Sequence, residues 1–247
     1  MRICLDAGHS GKANPYVVNG KTIGWESETA WSLQQKLRER LEAAGVEVIC
    51  TRAEPEKDMD LVSRGRKAEG CDFFLSLHSN AGSSTADYPM ACCPVDGSAD
   101  DIGMKLALAV GEQMQTVQIA RIWKRDYQNG MGKIIQMLSD PDFGRRTAEK
   151  DYYGVLRGAA QVGVPGVLLE CSFHSNPEMA RWLLDDANLE KLAEALCRVL
   201  TEHFSVEKLN WKKKYMEMKA RYDALLGALD ALVERYRGGV GNGGESK

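Results

Sequence analysis

Apolar residues follow two different patterns along the first 205 residues of the chain. Four continuous apolar runs are typical of strands that are buried on both faces; they are residues 2–6, 46–51, 71–77 and 166–171. Between the first two runs, residues 26–44 carry apolar side chains three and four positions apart, which predicts an amphipathic helix that Gly45 ends. This alternation predicts an α/β fold with a mostly parallel or mixed central sheet flanked by helices.

The remaining pattern predicts shorter elements. Helical spacing marks residues 61–69, 101–114, 177–184 and 188–204, and short apolar runs predict strands at 90–95 and 151–156. Residues 10–24 are expected to form a polar loop, because they are rich in Gly and Asn. Residues 116–149 show no clear period, so we expect loops and short elements there.

The chain after residue 205 follows a heptad pattern. Its apolar seam has spacings of four and three and consists of Trp211, Tyr215, Met218, Tyr222, Leu225, Leu229, Leu232 and Tyr236. A narrow seam on a charged helix predicts docking against another helix, either as a coiled coil in a homo-oligomer or folded back on the first domain. We therefore expect a domain at 1–205, a helix at 206–237 and a disordered Gly-rich tail at 238–247.

Composition excludes several classes of protein. The net charge of −3 over 247 residues argues against a broad nucleic-acid-binding face, and no apolar run reaches the roughly 18 to 20 residues of a membrane span. The first residues do not resemble a secretory signal, so we expect synthesis in the cytoplasm without a signal peptide. The seven cysteines lack Cys-x-x-Cys spacing and lie mostly in apolar stretches, which indicates reduced, buried thiols.

Polar residues with chemical potential follow the predicted strands. His9 comes after the first strand, while His78 and Glu170 end two others, and strand ends at one edge of an α/β sheet converge on a common crevice. Glu26 begins the first helix. Two imidazoles and a carboxylate can hold zinc with a position left for water, and a further carboxylate can take that water's proton. The same residues also fit a turn histidine and a glutamate that only favours a helix start.

Several motifs together carry a family resemblance over about residues 1–205. They are Leu5-Asp6-Ala7-Gly8-His9, Gly24-Trp25-Glu26, Thr51-Arg52, Leu61-x-x-Arg64, Leu75-Ser76-Leu77-His78-Ser79-Asn80-Ala81 and Leu168-Leu169-Glu170-Cys171-Ser172-Phe173-x-Ser175-Asn176-Pro177-Glu178. In this order the chain resembles the zinc-dependent N-acetylmuramoyl-L-alanine amidases, and more narrowly the amidase-3 family of peptidoglycan hydrolases. It differs at Ala7 and Ser10, where many members have proline and glycine.

The resemblance implies a set of site residues and a reaction. One zinc ion would be held by His9, Glu26 and His78, and Glu170 would be the catalytic glutamate. The enzyme would hydrolyse the amide between N-acetylmuramic acid and the L-alanine of the stem peptide in peptidoglycan.

Two site assignments keep an alternative. Glu28 rivals Glu26 as a ligand, but Glu26 directly follows Gly24-Trp25 as the resemblance requires. His174 is expected close to the site, and a turn or surface histidine is the favoured interpretation of it.

Two rival functions also stay open. The zinc arrangement could serve a peptidase that cuts another cell-wall amide, or the domain could bind cell wall without turnover. A wall hydrolase without an export signal would act after release, which indicates a role in bacterial cell lysis such as that of a phage endolysin or a mother-cell lytic enzyme.

Overall fold

The computed structural model describes residues 1–115, 121–124, 135–136, 151–206 and 211–240. The chain divides into two compact units, Met1–Glu207 and Lys208–Lys247. None of the described helices is both long enough and apolar enough to span a membrane.

Strands and helices alternate through the first unit. In chain order its elements are β1 (Arg2–Ala7), β2 (Pro15–Val18), β3 (Lys21–Trp25), α1 (Glu26–Ala43), β4 (Glu47–Cys50), α2 (Leu61–Arg66), β5 (Phe73–Asn80), β6 (Met90–Cys92), α3 (Asp100–Met114), β7 (Arg121–Lys124), β8 (Ile135–Gln136), α4 (Gly154–Gln161), β9 (Gly166–Phe173), α5 (Pro177–Leu184) and α6 (Asp186–His203). The second unit holds α7 (Trp211–Val240).

The main sheet is mixed, with strand order β4-β1-β5-β9-β6-β7-β8. Strands β4, β1, β5 and β9 run parallel to one another, whereas β6 is antiparallel to β9. Strand β7 is parallel to β6 and antiparallel to β8. The predicted α/β class with a mixed, helix-flanked sheet is therefore confirmed.

Helices cover both faces of this sheet. Ile3 and Leu5 of β1 belong to the cluster that α1, α3 and α6 complete on one face. Cys4, between them, points to the other face, where Phe74 and α4 form a smaller cluster. The period of two in the buried strands therefore divides their side chains between two cores. All seven cysteines are free, and none is exposed.

Residues 151–156, predicted as a strand, are not one. Helix α4 begins at Gly154 and takes up the second half of this segment, because Val155, Leu156 and Ala159 share a buried side. Where α4 meets α2, a Cβ added to Gly65 would overlap the carbonyl oxygen of Val155, and one added to Gly158 would overlap a carbonyl of α2. The two helix backbones are in direct contact there.

The predicted loop at 10–24 contains a β-hairpin. Strands β2 and β3 pair antiparallel around Asn19 and Gly20, whose φ angles of 52° and 75° are left-handed. Asn-Gly is the strongest short signal for such a turn, and the sequence interpretation missed it. Tyr16 of β2 is fully buried, so the hairpin packs on the domain through this ring.

Helix α7 exposes its apolar seam along the described side chains. These exposed residues are Met218, Tyr222, Leu225, Leu229 and Leu232. Residues 238–240, assigned by the sequence to a disordered tail, are helical. The rest of that tail, the side chains of Trp211, Tyr215 and Tyr236, and most of 116–149 lie outside the described residues.

Candidate active site

Gly8 and His9 form the exit from β1 into the cleft. The backbone N–H of Gly8 donates to the carbonyl of Leu77 at 2.9 Å, which ties this exit to β5. A Cβ on Gly8 would lie 2.6 Å from Nδ1 of His78, so only glycine leaves room for that ring. His9 itself has a left-handed φ of 58°, which turns the chain out of the strand direction.

A buried ionic network fixes the strand that leads to His9. Asp6 is fully buried, and its two carboxylate oxygens accept from Nε and Nη2 of Arg64, each at 2.9 Å. The hydroxyls of Thr51 and Ser76 also donate to Asp6, at 2.5 and 2.6 Å. Arg64 further donates to the carbonyl of Ala7 at 2.7 Å. The end of β1 is therefore held by a charge pair whose polar atoms are well satisfied.

Arg52 connects the two chain segments that carry His9 and Glu26. This side chain is buried, and its guanidinium donates to the carbonyls of Gly8 and Ser27 at 3.4 and 3.1 Å. It also lies 4.9 Å from the ring centre of Trp31 in α1, a cation–π contact. One guanidinium thus links the residue before His9 with the residue after Glu26.

Glu26, the first residue of α1, lies buried among four hydrogen-bonding neighbours. Its Oε1 is 2.9 Å from Nδ1 of His78 and accepts from the backbone N–H of Ser79 at 3.1 Å. Its Oε2 accepts from Nδ2 of Asn14 at 2.6 Å and is 3.3 Å from Nε2 of His9. The first turn of α1 thus brings the carboxylate between the two histidines.

His9, Glu26 and His78 form a cluster with the donor set of a zinc site. One ligand atom from each lies within 4.8 Å of the other two. Burial raises the pKa of Glu26, but hydrogen bonds from His78 and His9 outweigh burial and hold this pKa below its ordinary value. The carboxylate is therefore ionised, as metal binding requires. Glu28, the rival ligand, is exposed and lies outside this cluster.

Glu170 reaches the same cleft from β9. Its backbone pairs with that of His78, and both residues line an opening of about 350 Å³ together with His9 and Glu26. The Oε2 atom of Glu170 is buried and has no hydrogen-bond partner among the described residues. Burial, and secondarily the charge of Glu26, raise the pKa of Glu170 well above its ordinary value. The cleft thus contains a carboxyl group with a free acceptor atom and an elevated proton affinity.

His174 lies in the wall of this cleft, as the sequence analysis expected. It is only 8% exposed, which excludes a surface histidine, and it lies in the turn after β9, as the other half of that interpretation had it. Its Nδ1 is 2.9 Å from Oγ and 3.0 Å from the carbonyl oxygen of Ser79, and its ring stacks on Tyr16 with centres 5.0 Å apart. Sequence reasoning missed Asn14 and Tyr16; the Asn-Gly turn signal would have found the hairpin that contains Tyr16, but not its position next to the site.

Comparison with known proteins gives consistent similarities. The Amidase_3 family, described as N-acetylmuramoyl-L-alanine amidase, matches residues 3–202. The chain is 25% identical over 225 residues to N-acetylmuramoyl-L-alanine amidase AmiA of Salmonella typhimurium, a match covering 82% of this chain and 75% of the relative.

Solved structures give the same picture at the level of the fold. The catalytic domain of CwlV, an amidase of the same description from Paenibacillus polymyxa, is similar with a TM-score of 0.61 at 20% identity, covering 83% of this chain and 99% of that domain. AmiC2 of Nostoc punctiforme gives a TM-score of 0.63 at 17% identity, over 83% of this chain and 97% of that one.

Proposed function

The chain belongs to the amidase-3 family of N-acetylmuramoyl-L-alanine amidases, and on this premise we propose that it uses one zinc ion and Glu170 to hydrolyse peptidoglycan. The bond cut is the amide between N-acetylmuramic acid and the L-alanine of the stem peptide. The observation that carries the proposal is the meeting of the His9, Glu26 and His78 cluster with an unpartnered glutamate in one cleft.

The three clustered residues are the proposed ligands. Zinc, when bound, acts as a Lewis acid and lowers the pKa of a bound water to about 7. Two nitrogen donors and one carboxylate match the ligands of catalytic zinc sites, which keep a further position open. The hydrogen bond from the Ser79 backbone orients the Glu26 carboxylate, which is the role of outer-shell groups in metal sites.

Glu170 is the proposed proton carrier. Its carboxylate lines the cleft and can accept the proton of the attacking water, and it can return that proton to the departing amine nitrogen. The Oε2 atom of this carboxylate has no hydrogen-bond partner among the described residues. The raised pKa of Glu170 favours the first transfer, because a base of very low pKa gives little driving force for taking a proton.

Removal and restoration of zinc tests this proposal directly. The chelated protein should stop clearing a suspension of purified cell walls, and added zinc should restore the rate. Mass spectrometry of the products should show new L-alanine amino termini with the disaccharide intact. Cuts inside the stem peptide would instead indicate a zinc peptidase, and binding without any turnover would indicate a wall-binding module.

The exposed seam of α7 supports a second proposal, self-association. Five apolar side chains of the seam belong to the described residues, and each is 55 to 71% exposed; they are Met218, Tyr222, Leu225, Leu229 and Leu232. A second copy of the helix would bury such a seam. Light scattering of the full chain and of a chain ending at residue 206 should show that only the full chain exceeds its monomer mass. Equal monomer masses would exclude the oligomer.

A role in cell lysis remains a prediction of the sequence analysis. Its test is the location of the native protein during growth. Its presence in the medium of intact, unlysed cells would contradict release by lysis.

A further inference from the structure

His174 has one ring nitrogen engaged with the protein and one that the proposed mechanism does not use. Nδ1 contacts Ser79, as described above. No hydrogen bond joins Nε2 to any of the described residues, although the imidazole lines the same cleft as Glu170 and His78. Polar atoms of nearly buried side chains are normally hydrogen-bonded, so we expect Nε2 to form a hydrogen bond with a group that enters the cleft.

The contacts of Nδ1 determine which nitrogen carries the proton. The carbonyl oxygen of Ser79, 3.0 Å away, can only accept a hydrogen bond, so Nδ1 must be the donor. Burial lowers the pKa of His174, which keeps the ring neutral at neutral pH. In a neutral imidazole with the proton on Nδ1, Nε2 holds a lone pair and can only accept.

Three contacts hold the ring in one orientation. It lies nearly parallel to the ring of Tyr16, at an interplanar angle of 13°. The hydroxyl of Tyr16 is 2.8 Å from Oγ of Ser79, which is itself bound to Nδ1. The backbone N–H of His174 donates to the carbonyl of Asn80 at 2.9 Å. An acceptor fixed in this way loses little conformational entropy when it binds a donor.

We propose that Nε2 of His174 accepts a hydrogen bond from an amide N–H or hydroxyl of the glycopeptide substrate and so positions it in the cleft. This inference rests on the proposed function, because it assigns a substrate contact in that same cleft. Because Nε2 can only accept, the substrate must supply the donor. The bond forms on binding and is kept in the reaction, which makes its effect one on KM rather than on kcat.

Two isosteric substitutions separate this role from a structural one. His174→Asn keeps an amide N–H near the position of Nδ1, where it can still donate to Ser79, and removes Nε2. His174→Gln keeps a polar atom near Nε2 and loses the Nδ1 position. A substrate contact predicts that H174N lowers kcat/KM about 3- to 10-fold, the value of one neutral hydrogen bond, through KM and with unchanged Tm and zinc content.

A matched control is available on α6. His203 is a partly exposed histidine outside the cleft, with Nδ1 3.4 Å from Asp101. H203N should retain the kcat/KM of the parent enzyme. If H174N also retains it while H174Q is unstable, His174 is purely structural and the inference is wrong.

Two substrates of different length show which part of the substrate supplies the donor to Nε2. A KM penalty in H174N that persists on N-acetylmuramoyl-L-alanine itself places the donor in the sugar or the first residue. A penalty seen only with the full stem peptide places it further along the peptide. An equal KM for parent and variant on both substrates overturns the proposal.

A direct measurement covers the case in which H174N does not fold. In a ¹⁵N-histidine-labelled, zinc-loaded E170Q enzyme, addition of N-acetylmuramoyl-peptide should shift the Nε2 signal of His174, and an unshifted signal at saturation would refute the contact. Failure of the proposed function is distinguishable, because then the parent enzyme itself would release no L-alanine amino termini from cell walls.

Discussion

Glu26 and Glu170 are two glutamates in one cleft, and their surroundings are opposite. Four neighbours offer hydrogen bonds to Glu26, whereas the buried oxygen of Glu170 has none among the described residues. The pKa of Glu26 lies below its ordinary value and that of Glu170 well above it. Burial acts in the same direction on both, so the partners decide the protonation state. Such divergence is typical of carboxylates with different tasks.

The first prediction replaces each of the two glutamates in turn. Glu170→Gln should lower kcat about 10²- to 10⁴-fold, because the proton acceptor is lost, while zinc stoichiometry stays at that of the parent. Glu26→Gln should instead lose zinc, since it removes a proposed ligand. Metal analysis together with single-turnover kinetics measures both. Loss of zinc in E170Q, or full zinc in E26Q, would show that the two roles are assigned wrongly.

The second prediction removes the support beneath His9. Arg64→Met leaves the fully buried Asp6 without its charge partner and should lower the free energy of unfolding by about 3–5 kcal/mol. Arg38→Met is the matched control, because Arg38 pairs with Glu42 on an exposed surface of α1 and its loss should cost less than about 1 kcal/mol. Urea unfolding measures both changes. Similar losses would show that the buried pair stabilises the fold no more than an exposed pair does.

The third prediction tests the fit between Gly8 and His78. Gly8→Ala places a methyl group against the His78 ring and should weaken zinc binding about 10- to 100-fold, as displaced supports of metal ligands do. Gly227→Ala serves as the control, since nothing lies within 4 Å of an added Cβ there. Competition with a zinc chelator gives the affinities. An unchanged affinity in G8A would show that His78 can move freely.

The fourth prediction has the smallest expected effect. It concerns the thermal stability of the Glu170→Gln variant and tests the contrast between the two glutamates. Because the pKa of Glu170 is raised in the folded state, its ionisation destabilises the metal-free protein increasingly as pH rises from about 4.3, the ordinary value for Glu. E170Q cannot ionise. It should therefore unfold at a higher temperature than the parent at pH 7.5 and at a similar temperature near pH 4. A gain that does not vary with pH would contradict this linkage.

The strand ends that carry the site could be predicted from the sequence. Buried parallel strands read as continuous apolar runs, and α1 reads as a regular amphipathic period, so β1, β5 and β9 fall close to their expected positions. His9 follows β1 closely, and His78 and Glu170 lie among the last four residues of β5 and β9, so the strand positions predict all three. Glu26 over Glu28 needed the family resemblance, since both occupy the first turn of the helix.

What the sequence did not reveal depends on contacts between distant segments. The burial of Tyr16 depends on Ser79, 63 residues away. The absence of a partner for Glu170 and the tautomer of His174 depend on the positions of neighbouring backbones, which no local pattern encodes. Helix α4 was mistaken for a strand because a short apolar run fits either element until its packing partner is known.

The close crossing of α2 and α4 limits how this protein can be engineered. Replacing helical glycine with alanine is a common way to stabilise proteins, and the exposed Gly227 suits it. At Gly65 and Gly158 the obstacles are main-chain atoms of the opposite helix, and a main chain cannot change rotamer. No second substitution elsewhere can therefore make space for the added methyl. If glycine-to-alanine variants were chosen by helix propensity alone, the least stable ones would be those at these two positions.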